Sequence, residues 1–89
     1  MTYDFVIRAV VDPQTLPRVV GQLGRHWVTP TRLDAAVTGD DLLIRFETDD
    51  LTKASAAMVL GYLRSCVLVH DAAVHPDVAS HPLPPTNPR

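Results

Sequence analysis

Three histidines, His70, His75 and His81, fall within 12 residues, and imidazoles at short spacing are well suited to holding a transition metal. The stretch that carries two of them, "HPDVASHPLPPTNPR", has five prolines in 15 residues and no periodicity, so it fixes no ligand geometry. No metal site is expected. The single cysteine, Cys66, excludes an internal disulfide and a Cys-rich zinc site, and within "LRSCVLV" it is expected to pack rather than react. The acidic pairs Asp40-Asp41 and Asp49-Asp50 read as turn and helix-cap residues. There is no Ser/His/Asp signature, no glycine-rich phosphate loop and no acid–base carboxylate pair, so neither a catalytic residue nor a cofactor is expected. One short polar stretch remains, Asp12-Pro13-Gln14-Thr15, lying between a strand-like run and a helix-like run where a small ligand could be held.

Composition narrows the field further. The net charge is −2, and seven of the eight basic residues are arginines spaced too evenly along the chain to form a patch, which argues against nucleic-acid binding. No apolar run is long enough to span a membrane and nothing resembles a signal peptide, so a cytoplasmic protein is expected. A chain of 89 residues makes one domain. At this size folding buries only about 60–65% of the unfolded surface, and oligomerisation is a natural supplement.

The elements that must position the polar loop follow from periodicity. Tyr3, Phe5, Ile7, Ala9 and Val11 alternate with Val6, Arg8 and Val10, predicting a strand that ends where Asp12 precedes Pro13. With Thr15 as N-cap, Pro17 falls in the first turn of a helix running to about His26, whose apolar stripe is Leu16, Val19, Val20 and Leu23. Trp27 is expected to close one end of the core. "TRLDAAVTGDDLLIRFET" reads as a hairpin turning at Thr38-Gly39-Asp40-Asp41. Asp49-Asp50 then caps a second helix with Leu51, Ser55, Met58 and Tyr62 on one line and Val59 and Leu63 beside it. A last strand lies in "CVLVHDAAV".

The order is therefore β-α-β-β-α-β in one domain, residues 1–74, followed by a Pro-rich tail, 75–89, either flexible or laid on a partner. Right-handed crossovers make this a ferredoxin-like α+β sandwich: a four-stranded antiparallel sheet with two helices on one face. Val6, Val10 and Leu43, with Arg8, Arg45 and Glu47, would occupy the open face, and "TRLDAAVT" would be an edge strand with little charge to deter pairing. Both features favour a homodimer.

"VVDPQTLPRVVGQLGRHW" resembles the start of an ACT domain: a strand, an Asp, a short loop, then Leu-x-Arg-Val opening a helix. Within that family, the short chain and the segments "DPQTLPRVVGQLGRHWVTPTRLDAA" and "LGYLRSCVLVHDA" resemble the short regulatory subunits of acetolactate synthase. The resemblance covers roughly residues 3–74. It implies a non-catalytic regulatory dimer that binds a catalytic large subunit and a branched-chain amino acid. The ligand would be held by Asp12, Gln14, Thr15 and Leu16 of the first loop, and by Thr29, Pro30 and Thr31 from the neighbouring chain. The loop departs from the usual pattern in having no glycine between Asp12 and Val20, where backbone amides would approach a carboxylate. Two rivals stand beside this reading. One is a free-standing ACT-like amino-acid sensor. The other is a small enzyme of the dimeric α+β barrel kind, which would want a His or Arg among the core-face positions Phe5, Ile7, Ala9, Leu42, Ile44 and Phe46, all of them apolar.

Overall fold

Alternation in the sequence becomes burial where two layers meet. In a computed structural model that describes residues 2–76, strand β1 (Tyr3–Val10) buries Tyr3, Phe5, Ile7 and Ala9, and strand β3 (Asp41–Thr48) buries Ile44, Phe46 and Thr48. The two pair antiparallel with Phe5 opposite Phe46 and Ile7 opposite Ile44. The phenylalanine rings stack at 4.6 Å between centroids, nearly parallel. Strands β2 (Arg32–Thr38) and β4 (Val69–His75) flank this pair in the order β2-β3-β1-β4, every pairing antiparallel. Helices α1 (Thr15–Arg25) and α2 (Lys53–Ser65) cover one face, so the expected ferredoxin-like α+β sandwich is the fold observed. Residue 70 is an extra residue in β4: Arg8 faces Asp71 while Ala9 faces Val69, which leaves His70 in a bulge.

Several local expectations are corrected. Helix α2 is capped by Thr52, whose side chain accepts from the Ser55 amide at 3.0 Å, and not by the preceding acidic pair. Asp50 instead accepts from the buried Thr48 hydroxyl, and Asp49 from Thr2. The buried face of α2 is Ala56, Val59, Leu60 and Leu63, while Met58 and Tyr62 point outward. On α1, Val19 and Leu23 are buried and Val20 is exposed. Trp27 closes no core, being 89% exposed. It occupies the left-handed position after α1, with φ 59°, where its amide donates to Gly24 and the next amide, of buried Val28, donates to Leu23 at 2.9 Å. This is a Schellman termination with tryptophan in the place glycine usually takes.

Strand β2 obeys the alternation and yet buries nothing. All seven residues are exposed, including Leu33, Ala35 and Val37, which lie opposite Phe46, Ile44 and Leu42 on the helix side of the sheet. The helices do not extend over this edge. The hairpin that joins it to β3 turns through Gly39, at φ 61°, as the first of two loop residues. The expected tail, 75–89, starts too early, because His75 is the last residue of β4; residues 77–89, His81 among them, lie outside the described residues.

Candidate functional site

The loop between β1 and α1 is organised by Asp12. Its carboxylate accepts from the Gln14 amide at 2.8 Å and its carbonyl accepts from the Thr15 amide at 3.0 Å. Helix α1 therefore begins at Thr15, with Gln14 as the flanking residue and no side chain capping the helix. The expected N-cap role of Thr15 is thus corrected. One residue of displacement turns its side chain into the core, where it is fully buried and its hydroxyl has no partner among the described residues. Pro17 still falls in the first turn, where its missing N–H costs nothing.

This arrangement limits what the loop can hold. The Gln14 and Thr15 amides are occupied, Pro17 has none, and the Arg18 amide closes onto the Gln14 carbonyl at 3.1 Å. Among the described residues that leaves the Leu16 N–H as the free donor of the first turn. Arg18 stands beside it, its guanidinium donating to the Gln14 side chain at 3.3 Å. Asp12, Gln14 and Arg18 line a shallow cleft with Val67 and Leu68.

Thr29, Pro30 and Thr31 lie at the other end of the sheet. Thr31 donates from its amide to the Glu47 carbonyl at 2.7 Å, and the Thr29 carbonyl lies 3.0 Å from the Thr48 hydroxyl. Thr48 faces Tyr3 at the start of β1, whereas Asp12 follows the end of β1, where Val10 faces Asp41. Within one chain the two halves of the candidate site are therefore apart.

The open face of the sheet carries a charge network that the sequence reading only half named. Arg45 donates to Asp4 at 2.8 Å across two strands, and this partner raises the arginine's pKa above its ordinary value, Asp4 first and then Glu47 and Asp34 by charge. Arg8 pairs with Asp41 at 3.5 Å, and the His70 ring lies 3.8 Å from the same carboxylate. Asp4 was missed because a lone Asp in a strand has no periodic signal. Among the described residues no three His, Cys, Asp or Glu side chains are grouped as a metal would need. Cys66 packs partly buried against the core.

The backbone resembles known domains. The C-terminal domain of the MgtC protein from Mycobacterium tuberculosis matches with a TM-score of 0.69 and 12% identity, over 83% of this chain and 84% of that one. The ligand-free regulatory subunit of aspartate kinase from Thermus thermophilus matches with a TM-score of 0.65 and 18% identity over 85% of this chain. This chain has an ACT-like fold. It spans about half, 50%, of the aspartate kinase subunit. At these identities the likeness concerns the ACT-like fold itself. No protein-family model matches the sequence, and no curated protein sequence matches it. Among the described residues, no helix is long and apolar enough to cross a membrane.

Proposed function

We propose that the chain is a non-catalytic regulatory ACT-type module that works as a homodimer joined along β2. It acts by binding a catalytic subunit, the large subunit of acetolactate synthase, with a branched-chain amino acid as effector. The observation that carries this reading is β2 itself: a seven-residue edge strand, apolar on the helix side and covered by neither helix. Such an edge is a template for another strand. Around a two-fold axis through Ala35, antiparallel pairing sets Leu33 against Val37 of a second copy and joins the two sheets into one.

The same symmetry addresses the divided ligand site. Because β2 runs away from the Thr29–Thr31 end, antiparallel pairing carries that segment of a second copy to the Asp12 end of the first. The effector's carboxylate would face the Leu16 amide, with Asp12 and Gln14 available to its amine. An amino acid wedged there favours one arrangement of the dimer over another, and that preference is what the catalytic subunit would read. The regulatory character of the aspartate kinase subunit supports the class of function.

The test is a thermal-shift screen against the twenty amino acids, with the mass in solution measured on the same sample. A dimer whose melting temperature rises with valine, leucine or isoleucine supports the whole reading. A dimer with no response removes the effector and leaves protein binding. A monomer overturns it.

A further inference from the structure

Of the six described arginines, Arg18, Arg25 and Arg64 lie on the helices and the other three on the sheet. Helices α1 and α2, 11 and 13 residues long, carry Arg18, Arg25, Lys53 and Arg64 and not one carboxylate. The rest of residues 2–76 holds nine carboxylates against three arginines. Arg18 and Arg25 share one side of α1, two turns or roughly 10 Å apart along its axis. Among the described residues neither has a carboxylate partner, and both line a groove with Gly21, Gln22 and Cys66, at the end of α2.

A second observation points the same way. Gly21, Gly24 and Gly61 lie within the helices, none has a positive φ, and a Cβ added to any of them meets nothing within 4 Å. The isolated fold gives no reason for them, although each weakens its helix relative to alanine. Exposed Met58 adds uncharged surface to the same layer, where the Tyr62 ring stacks on His26 at 3.9 Å between centroids. A helical face that is positive, unpaired and stripped of side chains suits the backbone of a negatively charged helix lying along it.

We propose that this outer helical face docks an acidic helix of another protein, whose carboxylates two turns apart pair with Arg18 and Arg25 while its backbone passes over Gly21. The inference rests on reading the chain as a module that works by binding another protein, and adds where and by what chemistry. Nucleic acid fits less well: four cations release few counterions, and the acidic remainder of the molecule repels a polyanion.

The experiment is an amide NMR titration of the whole chain with a helical alanine–leucine peptide carrying glutamates at i and i+7, the solution mass being recorded in parallel. The expected result is shifts confined to Arg18–Arg25 and the second half of α2, with β2 unmoved. Binding should weaken about tenfold when Arg18 and Arg25 are both changed to Gln, and again at high salt. Gly21→Ala should weaken binding while raising the melting temperature, which separates docking from folding. The proposal is overturned if a glutamine peptide binds equally well, if shifts fall on the sheet, or if heparin or phosphatidylserine vesicles move these resonances and the peptide does not. A dimer that ignores the peptide sinks this inference alone, whereas a monomer that binds it sinks the β2 dimer instead.

Discussion

The Thr15 amide donates to the Asp12 carbonyl at 3.0 Å, so the aspartate, not the threonine, shapes the entry into α1. The two residues therefore respond oppositely to substitution. Asp12→Ala removes the acceptor for the Gln14 amide and should cost about 1 kcal/mol, as loss of a helix-entry acceptor does. Thr15→Val keeps the shape and removes a buried hydroxyl without a partner, and should raise stability by about 1 kcal/mol. Urea denaturation of both variants checks the pair; a destabilised Thr15→Val would show that its hydroxyl makes a bond after all.

Trp27 holds a left-handed backbone at a cost of about 1–2 kcal/mol and, being 89% exposed, recovers little by packing. Glycine relieves that cost but adds about 0.5–1 kcal/mol of unfolded-state entropy. Trp27→Gly should thus be stabilising by up to about 1 kcal/mol, read as a rise in melting temperature of a few degrees. A fall would mean that the indole makes contacts the exposed geometry does not suggest.

Val37 is 62% exposed, so a lysine there does not disturb the core. It does place a charge in the apolar half of the β2 edge, a natural deterrent to strand pairing. Val37→Lys should leave the far-ultraviolet circular dichroism unchanged and halve the mass in solution. An unchanged mass would place any dimer contact elsewhere.

The Arg45–Asp4 pair gives a prediction about pH. The arginine's folded pKa is raised, so its contribution is fully present below the unfolded value and fades only as pH climbs past the ordinary arginine range. Arg45→Gln should therefore shift stability by the same small amount at every pH from about 6 to 9, exposed pairs being weak. Denaturation midpoints across that range check it, and a slope introduced by the substitution would contradict it.

What the sequence disclosed followed the strength of its periods. Strands β1 and β3 alternate against a covered core, and Phe5, Ile7, Ile44 and Phe46 were legible for that reason. The same alternation in β2 misleads, because burial depends on how far the helices reach, which no local pattern encodes. Helix α2 is apolar over most of its circumference, so Leu51-Ser55-Met58-Tyr62 satisfied the helical period as well as the true face, Ala56-Val59-Leu60-Leu63, of which Val59 and Leu63 were legible and Ala56 and Leu60 were not. At the candidate site the loop was placed correctly, but a shift of one residue decided whether Thr15 capped a helix or entered the core. The even spacing of the arginines hid that the two helices carry cations and no carboxylate, since spacing along the chain says nothing about which layer each residue joins.

With the two helices carrying positive charge alone, and nine carboxylates outnumbering three arginines in the rest of the described residues, charge is separated between the layers further than a net charge of −2 conveys. The protein should be retained at neutral pH and low salt by anion and cation exchangers alike, presenting a different side to each. In free solution, the same separation would turn the protein as it drifts toward a charged surface, so that orientation precedes contact.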